Sequence, residues 1–304
     1  MSLKQFFVVC FTLFTACFSF SQSKINAFLK PSDTLNTPRR NALVISESTV
    51  AGLTLLGLNR LWYSDFEQSK FKSVNDFNEW LQMDKLGHMY SSYQMGKYGA
   101  EALNWSGVNK KHQLIYGATL GFGFLTVVEV FDGFSQEWGF SWSDMGANAL
   151  GAGLYVGQEL LWESQRIHLK YSFHKTRYAA QRPNTLGSSF LEQVLKDYNG
   201  QTYWLSANIH SFFPETKLPK WLNVAVGYGI EGVLTGNEQT DIVEFKDQNR
   251  QRQLYLSLDI DLTKIKTKSM TLKTLFSVLS TIKLPFPAVE FIDKNDIKFR
   301  PIYF

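Results

Sequence analysis

Cysteine is almost absent from this chain: Cys10 and Cys17 are its whole complement. Both fall in an N-terminal stretch that reads as a cleavable secretory signal over residues 1–21. Lys4 gives a positive start, Phe6 to Phe18 is a short apolar run, and Ser19-Phe20-Ser21 offers small residues just ahead of Gln22. The run is shorter than the ~20 apolar residues that cross a bilayer comfortably. Ordinary cleavage leaves a cysteine-free chain, which excludes disulfides, thiolate nucleophiles and cysteine-ligated zinc. The variant is lipoprotein processing at Cys17, since Phe14-Thr15-Ala16-Cys17 matches a lipobox apart from Phe14, where Leu is usual.

Other absences narrow the function further. The net charge is only +4, and no Lys/Arg run is dense enough for a nucleic-acid arm, so no nucleic-acid partner is expected. Gly121-x-Gly123 has no strand before it and is no nucleotide loop. The sequence holds no serine nucleophile elbow and no phosphate-binding loop. Aromatic residues, by contrast, make up 15% of the chain, which suits a protein that contacts a membrane or a large interface.

Residues 22–41 are polar, broken by Pro31 and Pro38, and read as a tether. Four helices follow within 42–165: Ala42 to Tyr63, about Phe77 to Trp105, about Lys111 to Phe131, and Ser141 (as N-cap) to about Ser164. Small residues four apart, at Gly117/Gly121, Ala147/Gly151 and Gly153/Gly157, fit closely approaching helix backbones. Residues 166–200 form a basic connector, with a short helix over Ser188 to Tyr198. Period-two alternation then marks strands at Leu222 to Ile230 and Leu254 to Leu262, more weakly at Tyr203 to Phe213, and finally at Ile297 to Phe304. A helix over Ser269 to Ile282 interrupts them. The expected fold is α+β: an N-terminal four-helix bundle-like domain, then a C-terminal antiparallel β domain over 201–304.

Three of the helices are apolar enough to raise membrane insertion. With the new N-terminus outside, the loop Asp132 to Trp142, which has no Lys or Arg, would lie inside and the basic connector outside. Both placements oppose the positive-inside rule, so a bundle on the periplasmic side is expected. The strands and the aromatic C-terminus fit either a soluble sheet or outer-membrane strands.

The candidate site lies in helices two to four. Asp84 and His88 are four apart and share a helix face; Asp144 and Asn148 do the same, and Glu129 and Asp132 are three apart at the end of an apolar helix. Gln136 and Ser143 lie in the connecting loop. Ionisable groups in such surroundings are costly unless paired. Converging in a bundle, they would form a metal or acid–base site or a structural network in which Lys85 neutralises one carboxylate.

The run Asp84-Lys85-Leu86-Gly87-His88, then Glu129 and Asp132, then Ser143-Asp144-x-x-x-Asn148-x-x-Gly151, resembles the YfiM-like family of predicted periplasmic lipoproteins and, more distantly, the VanZ-like family. The resemblance covers about residues 42 to 162. It implies an envelope location and no assigned chemistry; outer-membrane association is expected from the strands and the aromatic C-terminus. The expected function is a scaffold-like or small-ligand-binding envelope protein with membrane or outer-membrane protein partners. The alternative is an envelope hydrolase with catalytic His88, Asp84, Glu129, Asp132 and Asp144, acting on lipid-linked or cell-wall substrates. The sequence names no cofactor and no ligand.

Overall fold

The computed structural model describes residues 24–60, 67–244, 249–292 and 296–304. The expected signal peptide lies outside the described residues. Helix α1 covers Thr37–Leu58. It starts earlier than its apolar run because Asn36 caps it and Pro38, read as a break, sits in the first turn, where its missing N–H costs nothing. The expected end at Tyr63 also lies outside the described residues. Strand β1 is Ser73–Val74, α2 Met83–Trp105, α3 Leu120–Gly133, β2 Phe140–Ser141 and α4 Trp142–Trp162. The tract Lys110–Gly133 that contains α3, and α1 itself, are long and apolar enough to cross a membrane.

Helix α2 begins six residues later than its periodicity predicts. Trp80, Leu81 and Gln82 take positive φ of 50°, 50° and 67°, a costly left-handed run for non-glycine residues. The β domain holds it there: the Tyr228 hydroxyl donates to the Leu81 carbonyl at 2.6 Å, and Arg252 to Gln82 Oε1 at 2.7 Å.

Close backbone approach fixes how α2, α3 and α4 pack, whereas α1, expected as a fourth bundle helix, has no buried residue. A Cβ on Gly121 would lie 2.4 Å from the Ser92 carbonyl oxygen of α2, and one on Gly151 2.2 Å from that of Met89. The pair Gly153/Gly157 behaves otherwise, since nothing lies within 4 Å of a Cβ at either position.

The second half is one six-stranded antiparallel meander, β3 Ile167–Phe173, β4 Gln201–Asn208, β5 Leu222–Glu231, β6 Gln251–Ile260, β7 Phe286–Ile292 and β8 Asp296–Tyr303. Helix α5 is Phe190–Lys196, α6 Glu238–Glu244 and α7 Met270–Leu279. The α+β reading holds. Strand β3 lies inside the segment read as a basic connector, and His168 and Lys170 point into the sheet's interior rather than to solvent. Residues 281–283, just before β7, pair with Tyr171 on the free edge of β3, so the sheet curls back on itself. The outer face of β3 to β5 packs on the bundle: Leu169 joins Tyr93 and Tyr155, while Tyr203 and Tyr228 join Met83 and Leu86.

The glycine contacts yield a paired prediction. Gly151→Leu, which meets backbone, should cost about 3 kcal/mol, the upper end of overpacking losses. Gly153→Leu, in open space, should leave stability unchanged or raise it by up to ~1 kcal/mol through helix propensity. Chemical denaturation followed by circular dichroism compares the two.

Candidate functional site

The site forms where the start of α2, the end of α3 and the start of α4 meet. Strands β1 and β2 bring the segment before α2 alongside the segment before α4, pairing Ser73 with Phe140 and Val74 with Ser141. Ser141 then caps α4, its hydroxyl accepting from the Asp144 N–H at 3.1 Å. With that cap made by Ser141, the Asp144 carboxylate is free to turn inward.

Lys85 stands at the centre. Its ammonium lies 2.6 Å from Asp76 Oδ2, 3.0 Å from Asp84 Oδ2 and 2.8 Å from Asp144 Oδ1, and its side chain is 9% exposed. Asp76 also accepts from the hydroxyls of Ser141 (2.6 Å) and Ser143 (2.8 Å). His88 sits one turn along α2. Its Nε2 is 3.9 Å from Asp84 Oδ1 and 3.7 Å from Glu129 Oε1, and its Nδ1 lies 3.2 Å from Asn148 Oδ1. Glu129 is buried and accepts from the Ser141 N–H at 3.1 Å. The Tyr198 hydroxyl, reaching in from just before β4, donates to Asp84 Oδ1 at 2.8 Å.

Of the residues expected in the site, Asp84, Lys85, His88, Glu129, Ser143, Asp144 and Asn148 converge. Asp132 makes none of these cluster contacts; its backbone carbonyl accepts from Ser135 and its charge acts on Glu129 only at a distance. Gln136 turns away to Glu67, and Gly151 serves helix packing. Asp76 and Tyr198 were not foreseen. Asp76 sits in a polar stretch without periodicity, and Tyr198 is 114 residues from its partner. The short helix before Tyr198 was visible in the sequence, but its docking was not.

The electrostatics follow from burial and pairing. Burial would raise the Asp84 carboxyl, but His88 and Lys85 outweigh it and hold the group below its ordinary range. Asp76 is likewise raised by burial yet brought down to about 2 by hydrogen bonds from Lys85, Ser141 and Ser143. Burial would lower His88, but Asp84, Asp144 and Glu129 raise it. Asp144 is pushed up to about 7 by burial and the Asp84 charge, and Glu129 to about 8 by burial and the Asp144 charge, against the pull of His88. Asp76 and Asp84 are thus the carboxylates most firmly ionised beside Lys85, and His88 holds its proton to higher pH than a free imidazole. Asp144 and Glu129 are the last acids to lose their protons.

Ligand atoms of Asp84, His88 and Asp144 all lie within 4.8 Å of one another, close enough to hold a metal ion. Lys85 already places a positive charge among these carboxylates. The Asn148 Nδ2 is buried without a hydrogen-bond partner among the described residues.

A family model described as predicted periplasmic lipoprotein (DUF2279) matches residues 75–158. No curated protein and no solved structure matches the chain. The matched segment contains every residue of the cluster except Tyr198, and it ends before the sheet begins. It supports an exported protein of the cell envelope, and the family's description names a compartment rather than a reaction.

The raised acids and the raised histidine set the pH dependence. A group whose folded pKa exceeds its ordinary value stabilises the fold below that ordinary value and loses the contribution as pH climbs through the folded one. Glu129 (ordinarily 4.5), Asp144 (3.8) and His88 (6.5) all act in this sense. The lowered Asp76 and Asp84 act oppositely, losing their contribution below about pH 4. Thermal stability should therefore peak at about pH 4–5 and fall towards pH 8. Glu129→Gln, which keeps an oxygen for the Ser141 N–H, should flatten the alkaline fall; an equally steep fall in that variant would contradict the assignment.

Proposed function

We propose that this chain is a non-catalytic envelope protein that lies at the outer membrane, and that its polar cluster is an internal clamp joining the bundle to the β domain. The observation that carries this reading is the coordination of Lys85. Three carboxylates from three separate segments meet one buried ammonium, and Tyr198 ties one of them to the second half of the chain. A general acid or base needs reach to a substrate proton. Here the strongest donors and acceptors are already spent on one another. The family match supports the envelope setting, and the VanZ-like resemblance, which rests on the same residues, fits a protein working beside a membrane. Outer-membrane placement draws its support from the sheet, whose outward positions are apolar.

A second reading has one specific observation behind it. The His88 end of the cluster keeps an unpartnered buried amide nitrogen on Asn148, and Asp84 and His88 retain side-chain exposures of 25% and 17%. That end is where a small polar ligand, or a cell-wall or lipid-linked substrate of the hydrolase alternative, would enter, with His88 as its acid–base group.

Two substitutions separate the readings. Lys85→Met leaves three carboxylates facing one another without their cation and should cost about 3–5 kcal/mol, measured as a lower denaturation midpoint and reduced abundance in the envelope. His88→Ala removes a cation beside Asp84 but none of the three carboxylate contacts of Lys85. On the clamp reading the protein accumulates normally and complements a deletion strain. Loss of the envelope phenotype at normal protein level would establish the ligand or catalytic reading instead.

A further inference from the structure

The sheet is built with its polarity inverted. Successive side chains on a strand point to opposite faces, so each rung across the meander belongs to one face. One inner rung runs Lys170, Trp204, Gly227, Tyr255, Glu290 and Lys298. The next runs His168, Ser206, Ala225, Ser257, Ala288 and Arg300. Most charges of the sheet lie on this side; those of β3, β6 and β7 are enclosed and paired, while Lys298 and Arg300 of β8 are 48% and 44% exposed. Lys170 meets Asp259 at 2.6 Å with both side chains fully buried, and Glu290, also fully buried, meets Arg300 at 2.6 Å.

The outer rungs are the reverse. One runs Tyr171, Tyr203, Tyr228, Leu254, Phe291 and Ile297; the next Leu169, Leu205, Val226, Leu256, Val289 and Phe299. Over β3, the first part of β4 and the last part of β5 the helices cover this face. Over β5 to β8 it is bare: Val226 is 51% exposed, Leu256 47%, and Ile297 and Phe299 66% each. A soluble sheet puts its apolar face inside and its charges outside. Strands of a membrane-embedded sheet do the opposite.

The two ends of this bare face differ in charge. At the end where the Asp261 N–H donates to the Trp221 carbonyl, the connections carry Lys217, Lys220, Lys264, Lys266 and Lys268, with Trp221 and the exposed Phe213 beside them. At the other end Glu238 is exposed, Asp241 is buried in an ion pair with Arg250, and Arg252 is held by the Tyr228 hydroxyl and Gln82. Lysines flanked by aromatic rings next to an apolar face are what a layer of anionic headgroups above acyl chains would meet.

We propose that the outer face of β5 to β8 is inserted among the acyl chains of a bilayer, with the Lys217–Lys268 end in its anionic headgroup layer. This rests on the outer-membrane reading above and goes beyond it by assigning the surface and its orientation. Strands of 7–10 residues fall at or below the ~9–11 that a tilted span requires, so the face is embedded rather than wrapped into a closed transmembrane barrel.

The test uses the full chain with a photoreactive benzophenone amino acid at Leu256 or Phe299, bound to vesicles of phosphatidylethanolamine and phosphatidylglycerol. Illumination should give a phospholipid adduct by mass spectrometry from either sheet position. A chain-to-chain adduct from the sheet positions means a second copy covers the face and overturns the proposal. Absence of any adduct means the face meets water and overturns it too. Flotation with the vesicles, read separately, keeps membrane association itself distinct: a chain that floats without sheet adducts retains the location and loses this surface. Lys266→Ala and Lys268→Ala should each weaken flotation about fivefold when phosphatidylglycerol is present and leave it unchanged when it is absent.

Discussion

Lys85 brings a full positive charge into a region that little water reaches, and the first half of the chain is arranged around answering it. An isolated buried ammonium would shift its pKa or unfold its surroundings. This one is instead held in its charged form, because Asp84 and Asp144 outweigh the effect of burial. The answer demands geometry. Asp144 must sit in the first turn of α4 with its cap supplied by Ser141, and α4 must lie against α2 closely enough for a lysine and an aspartate to meet, which the absence of a Cβ on Gly151 allows. Asp76 must be folded back over the helix start, which the left-handed turn at Trp80 to Gln82 accomplishes. Removing any one of these features leaves the ammonium short of a partner.

Much of this was legible before any coordinates. Spacing put Asp84 with His88, and Asp144 with Asn148, on shared helix faces, and the capping motif marked the start of α4. What spacing cannot supply is a partner from irregular structure. Asp76 reaches the site through β1 and β2, two residues each, and no periodicity signals so short a pairing. Asp132, three residues from Glu129, lies in the last turn of α3, where its backbone carbonyl accepts from the Ser135 N–H.

The missed strands share one cause. Over β3 the residues Ile167, Leu169 and Tyr171 alternate with His168 and Lys170, a sound period-two pattern. Reading charges as solvent-facing turned it into a connector. In β7, Pro287 and the charged Glu290 conceal the same alternation. Period two identifies a strand whichever face is buried, so β5 and β6, whose inward residues are small or neutral over much of their length, were recognised. The error lay in the sign of the burial rule. It was largest where the interior carries charge: Lys170, Asp259, Asp261 and Glu290 are all buried, in ion pairs with Asp259, Lys170, His168 and Arg300 respectively.

The clamp and the inverted sheet meet at tyrosines. Tyr171, Tyr203 and Tyr228 form the part of an outer rung that the bundle covers, and Tyr198 and Tyr228 reach across to Asp84 and to the Leu81 carbonyl. A phenol suits this position because its ring packs on apolar neighbours while its hydroxyl finds an acceptor. The choice of acceptor matters. Asp84 is held ionised by His88 and Lys85, whereas Asp144 and Glu129 exchange protons near neutrality. Charge can therefore change within the helices while the hydrogen bond from Tyr198 persists. The acids raised towards neutrality lie on α3 and α4, and the hydrogen bond from Tyr198 reaches a carboxylate of α2 that is held charged.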